Sequence, residues 1–247
     1  MDNENTMLNN QSGSSKTPLV WFFVFLITSI VLMGVRMPEL KNPWDNSLAN
    51  MEFAISSNES SSKVELVSQS GKDLLAVQSV YKMHPILNVY VGYYFFIKGK
   101  MDSVIYYQTK ALDNFKNVEK SKLKSQSRDL LVNAVINSSL KYISSGDSAT
   151  AFKLYAKAIS YAPENNYLNK AMAEFYIHQN KVDAALYHYY VALKGNKRDL
   201  ESLKGIEKVY SIKGNTDSVR YYADAILQAN PDYNKTGQLL DSIKVTK

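Results

Sequence analysis

Cysteine is absent from the 247 residues. That removes disulfides, thiolate metal ligands, thiol nucleophiles and lipidated cysteines together. Such a chain suits an oxidising compartment without requiring one. Glycine and proline are scarce, at 10 and 6 residues, and a sheet- or loop-rich protein would need more turn formers, so helices are expected. Histidine is sparser still: His84, His178 and His188 never fall at the i, i+3 or i+4 spacing that would pair them on one helix face as metal ligands. No glycine-rich phosphate loop, GxSxG elbow or HExxH pair occurs, and the carboxylates are scattered with no pair that faces across a cleft. These absences argue against an enzyme, and no cofactor, metal or small-molecule substrate is expected.

What is present suffices for a substantial core, with 45% apolar residues. The formal charge of +6 is modest, and its densest basic stretch is Lys116, Lys120, Lys122, Lys124 and Arg128, interrupted by Glu119 and poor in aromatics. A solvated helix face or connector accounts for it better than a nucleic-acid site, with contact to anionic lipid between the two. Residues 1–18 are polar and read as a disordered tail. Leu19 to Val35 then runs 17 residues without a charge, about 25 Å of helix at 1.5 Å per residue. Its only hydrophilic breaks are Thr28, Ser29 and Gly34. A buried core helix would show a polar face, and a cleaved signal would end in small residues rather than Met33-Gly34-Val35-Arg36. An uncleaved transmembrane anchor is therefore expected at 19–35, with Trp21 and Trp44 near the interfaces and a linker over 36–46. Lys16 on one side and Arg36 and Lys41 on the other hardly separate the two orientations. An early anchor behind a short tail favours a signal anchor in a bacterial inner membrane, with the bulk of the chain in the periplasm.

The remainder carries a period. Gly146, Asn180 and Gly214 stand 34 residues apart, with Gly99 as an earlier turn of the same kind. Four residues before each turn is an aromatic: Phe95, Tyr142, Tyr176 and Tyr210. Five residues after come Val104, Ala151, Ala185 and Val219, and seven further on Ala111, Ala158 and Ala192. Pro163 and Pro231 fall 17 residues after their turns, where a second helix should stop. The turn wants a left-handed conformation, and the small residues let helices approach closely. Asp102, Asp183 and Asp217, three residues past their turns, suit helix N-termini. Paired tyrosines such as 93-94, 106-107, 189-190 and 221-222 should each place one ring inward and one outward.

These positions, above all Gly146-Asp147-Ser148-Ala149-Thr150-Ala151-Phe152-Lys153-Leu154-Tyr155-Ala156-Lys157-Ala158-Ile159 with Pro163 behind, and Tyr176, Asn180, Ala185, Tyr189 and Ala192 in the next unit, resemble the tetratricopeptide repeat (TPR) family. The resemblance spans 83–233 as four repeats. It implies an all-α fold, a TPR-type solenoid of helix–turn–helix units behind the single transmembrane helix. There are departures: Gly99 to Gly146 is 47 residues, 13 too many, around Asn117–Arg128, and Glu207 stands where a small residue is usual. A degenerate helical hairpin is expected at 47–82, with Gly71 interrupting its second helix, and a capping helix at 234–247.

By register with the family, the first helices line a groove that takes a partner's peptide segment. The groove positions are Ile86, Val89, Tyr93 and Phe96; Asn133, Ile136, Leu140 and Ile143; Tyr167, Lys170, Glu174 and Ile177; and Glu201, Lys204, Lys208 and Ser211, with Asn137 bordering them. The partner-binding set is Tyr93, Asn133, Asn137, Tyr167, Lys170, Glu174, Lys204 and Lys208. Val89 and Tyr93 replace the Lys and Asn of the family's carboxylate clamp, so chaperone tails are not the expected ligand. The expectation is a membrane-tethered scaffold or adaptor for a protein or peptide partner, an accessory of a cell-envelope complex. The alternatives are a structural subunit of a larger membrane assembly, or a regulatory appendage of envelope polysaccharide machinery.

Overall fold

The computed structural model describes residues 44–56, 60–115, 121–231 and 233. The tail at 1–18, the anchor at 19–35, most of the 36–46 linker and the capping helix at 234–247 lie outside the described residues. No described helix is long and apolar enough to cross a membrane. Residues 46–247 form one unit; the other, 1–45, is described at Trp44 and Asp45 alone.

Ten helices are described: α1 (Asp45–Ser56), α2 (Ser60–Val80), α3 (Pro85–Ile97), α4 (Met101–Asn114), α5 (Ser121–Ser144), α6 (Ser148–Tyr161), α7 (Asn166–His178), α8 (Val182–Gly195), α9 (Leu200–Ile212) and α10 (Thr216–Ala229). From α2 onward, each packs on the next as an antiparallel neighbour.

The four hairpins α3–α4, α5–α6, α7–α8 and α9–α10 turn in the same way. Gly99, Gly146, Asn180 and Gly214 all take positive φ, at 69°, 84°, 56° and 69°. After each turn residue, the next N–H donates to the carbonyl of the aromatic in the helix just ended: Lys100 to Phe95 (2.9 Å), Asp147 to Tyr142 (2.8 Å), Lys181 to Tyr176 (2.9 Å) and Asn215 to Tyr210 (3.0 Å). This is the Schellman closure, which satisfies carbonyls left over at a helix end. The aromatic spacing in the sequence is thus the spacing of the turn itself. Three of the four rings also stack on the following helix: Phe95 on Tyr107, Tyr176 on His188 and Tyr210 on Tyr222, with centroids 5.4–5.7 Å apart.

The small positions are where helices cross. Val104, Ala111, Ala151, Ala158 and Ala185 are wholly buried, Ala192 is 1% exposed and Val219 6%. Two glycines outside the turns serve the same end. A Cβ on Gly205 would meet the ring of Tyr189 at 2.1 Å, and one on Gly71 would meet Tyr94 at 2.2 Å. Helix α2 therefore runs through Gly71 uninterrupted, because the missing side chain admits a ring. Gly205, two residues from the Glu207 position, gives α9 its close approach.

The aspartates expected at helix N-termini stand there. Asp102, Asp183 and Asp217 lie inside the first turn, where they meet the helix dipole. The capping bonds come from other residues. Asp147, Asn165, Asp199 and Asn215 accept from the N–H three residues on at 2.9–3.0 Å, and His84 does so through Nδ1 at 3.4 Å. Helices α4 and α8 begin behind Lys100 and Lys181, which make no side-chain cap, and these are the helices that carry Asp102 and Asp183 in the first turn.

The 13 additional residues go largely into one helix. α5 has 24 residues against 13 or 14 in the other repeat helices, so it starts about three turns early.

Candidate functional site

First helices of successive repeats pack against one another, α3 with α5, α5 with α7 and α7 with α9. No comparable layer forms among the second helices within the described residues. The first helices therefore form the inner face.

At the α1 end this face holds a trough of about 990 Å³. Helix α3 supplies Val89, Tyr90, Tyr93 and Phe96; α1 supplies Ala49, Glu52, Phe53 and Ile55; α5 supplies Lys122, Leu123, Gln126, Asp129, Leu130 and Asn133. Apolar side chains dominate, with polar groups at the sides, a composition typical of ligand sites. On α5 the polar set Lys122, Gln126, Asp129 and Asn133 recurs at spacings of four, three and four, which is one face of a helix. All but Asn133 come from its additional turns. The interruption of the period is what builds this wall.

Tyr90 and Glu52 join α3 to α1. The buried Tyr90 hydroxyl donates to Glu52 Oε1 at 2.5 Å. Burial first, and then the neighbouring carboxylate, push the Tyr90 hydroxyl far above its usual range, so it stays a donor. Tyr93 and Phe96 present tilted rings with centroids 6.2 Å apart, and burial raises the Tyr93 hydroxyl as well.

Of the sequence-derived set, the trough brings together Tyr93 and Asn133. Asn137 is exposed one turn further along α5, outside the trough lining. The others lie on α7 and α9 and are largely engaged with each other. Lys170 pairs with Asp199 at 3.3 Å and with Glu201, its side chain only 12% exposed. Burial disfavours the Lys170 charge, but the bonds to Glu201 and Asp199 outweigh it and raise the pKa. Glu174 accepts from the Tyr189 hydroxyl and pairs with Lys208 at 3.3 Å. Tyr167 is 69% exposed, with Lys170 Nζ 5.1 Å from its ring centre, and Lys204 Nζ lies 3.9 Å from that of Tyr233. Lys170, Glu174 and Lys208 are thus neutralised where α7 meets α9, while Lys204 has an aromatic ring rather than a carboxylate.

Sequence reasoning missed the α1 wall and the early turns of α5. A signal existed in the 13-residue excess, whose polar residues already had helical spacing. It also missed a buried pair of asparagines. Asn88 Nδ2 donates to Lys82 O (3.1 Å) and His84 O (2.9 Å), and Asn169 Nδ2 donates to Pro163 O (2.8 Å) and Asn165 O (2.9 Å). Each ties down the segment that leads into its helix.

The tyrosine pairs divide largely as expected. Tyr189 is buried and Tyr190 exposed, while Tyr106 and Tyr221 are far more open than Tyr107 and Tyr222; Tyr93 and Tyr94 are both half-buried. Tyr106, Tyr187 and Tyr221 are 55%, 64% and 68% exposed on the second helices. Among the described residues no three His, Asp or Glu side chains converge as a metal site.

No protein-family model and no curated protein matches the chain. Solved structures do. YrrB, described as a TPR protein with an unusual peptide-binding site, aligns over 81% of this chain and 93% of its own, at 12% identity and a TM-score of 0.50. MamA aligns over 69% of this chain and 92% of its own, at 12% identity and a TM-score of 0.48. Helix order, left-handed turns, buried small positions and the overlay on YrrB agree: the chain has the tetratricopeptide-repeat fold, a TPR-type α-solenoid.

Proposed function

We propose that this protein is a membrane-tethered adaptor that holds a peptide segment of a partner protein in the trough between α1, α3 and α5. The observation that carries the reading is the trough itself: about 990 Å³ on the inner face, open to an incoming chain and lined by apolar rings with amide groups at the side. Asn133 and Gln126 each offer an N–H donor and a carbonyl acceptor, the pair that a peptide backbone also presents. The peptide-binding site of YrrB, on the same fold, supports the same use here. In this reading the uncharged run 19–35 is the tether, with the repeats in the periplasm as an accessory of an envelope complex.

The test is quantitative crosslinking with mass spectrometry in cells, comparing the wild-type chain with Tyr93→Ala/Asn133→Arg. The variant should keep its helicity and abundance and lose its chief crosslinked partner at least about tenfold, or about 1.4 kcal/mol. An unchanged partner set at equal abundance would remove the trough from the account.

A second reading, a structural subunit that docks through its outer face, draws on the exposed Tyr106, Tyr187 and Tyr221. It predicts the opposite result, with partners lost on changes to those rings.

A further inference from the structure

The chain as a whole is basic, yet its trough is not. Two carboxylates, Glu52 and Asp129, stand among the lining residues against one ammonium, Lys122. The surplus of positive charge therefore lies elsewhere. Glu52 comes from α1 and Asp129 from the added turns of α5, so the carboxylates belong to the two walls that flank α3. Both are outside the regular repeat pattern.

The two acids are not equivalent. Glu52 is held by the Tyr90 hydroxyl through Oε1, which fixes the side chain while its second oxygen keeps its accepting capacity. An acceptor ordered before the ligand arrives loses less freedom on binding. Asp129 lies one helical turn before Asn133 on the same face, so charge and amide are offered side by side. Further along the inner face the situation is reversed, because Lys170, Glu174 and Lys208 are committed to internal ion pairs. Lys204 at the far end meets the ring of Tyr233, so the carboxylates of this face that are outside those ion pairs are the two in the trough.

We infer that the trough selects a peptide segment carrying an apolar or aromatic anchor side chain next to a lysine or arginine. This deepens the reading above and rests on it. The anchor enters among Val89, Tyr93, Phe96 and Leu130, where its burial provides most of the affinity. The cation meets Glu52 and Asp129, and like-charge repulsion by the same pair disfavours acidic segments. Selectivity is thus for the opposite charge to that of a C-terminal carboxylate ligand.

The experiment uses the full chain in detergent micelles, panned against a displayed library of random twelve-residue peptides. Enriched sequences should combine an apolar or aromatic residue with Lys or Arg within a turn or so of it. For synthetic copies, Glu52→Gln/Asp129→Asn should lower affinity at least tenfold, since Gln still accepts from Tyr90 but carries no charge. Replacing the peptide's lysine by norleucine should cause the same loss, and the two losses should not add. Enriched peptides that are acidic or uncharged, yet lose binding on Tyr93→Ala/Asn133→Arg, would overturn this inference and leave the trough as the site. Absence of any peptide whose binding responds to Tyr93→Ala/Asn133→Arg would overturn both.

Discussion

Ala192 is 1% exposed at a crossing between α8 and its neighbours, so it tests the packing register at a single side chain. Leucine there must displace close-packed atoms. Ala192→Leu should cost about 1–3 kcal/mol, read as a lowered midpoint in chemical denaturation. A midpoint within error of wild type would mean that the position is not a crossing. Glu207 offers a test of a different kind. Burial holds its carboxyl above the usual range, so the folded chain takes up this proton more readily than the unfolded one. Its ionisation therefore costs stability, a cost absent in acid and reached as pH rises through the folded pKa. Glu207→Gln should raise the thermal midpoint at pH 7, and the gain should shrink towards pH 4. A gain that grows in acid would contradict the burial. Residues of this kind were only half legible. The alanines were evident because small residues recur at 34, whereas Gly205 was hidden because it stands two residues off the register, where the shape of Tyr189 decides.

Among the elements, the hairpins were the most legible. Their aromatic and turn residues lie four apart because one Schellman closure joins them each time. The start of α5 was not. A 13-residue excess can become loop or helix, and the basic stretch that carries it offers Asn117, Ser121, Ser125 and Ser127 as cap-type residues with nothing to choose among them. The segments leading into the first helices were invisible as well, since Asn169 reads as an ordinary polar residue until its two carbonyl partners are seen. It is 1% exposed, with Oδ1 also 2.9 Å from His188 Nδ1. Asn169 Nδ2 is already a donor to carbonyls, so His188 Nδ1 carries a proton and Oδ1 accepts it. Burial lowers the His188 pKa, in keeping with a neutral ring. Asn169→Leu should leave Pro163 O and His188 Nδ1 without this partner, while Asn165 O keeps the backbone N–H of residue 169, at a cost of about 1–3 kcal/mol, with faster amide exchange concentrated at 164–169. A uniform loss across the chain would mean that the residue does not act on this connection.

At the scale of the molecule, the candidate site was read by analogy of register, which spreads it along the whole inner face. Tyr167, Lys170, Glu174 and Lys208 lie on the inner helices α7 and α9, but the register could not show that neighbouring repeats bring opposite charges within 3.3 Å of Lys170 and Lys208. Nor could it show that α1 and the extended α5 turn the other end into a trough. Which face meets the partner is decided by placing a photo-crosslinking side chain, in cells, at Tyr93 or Asn133 in the trough and at Tyr187 or Tyr221 outside it. The account predicts one shared crosslinked protein from the two trough positions and none of that protein from the outer pair. The same protein captured from Tyr187 and Tyr221, and not from Tyr93 and Asn133, would contradict it.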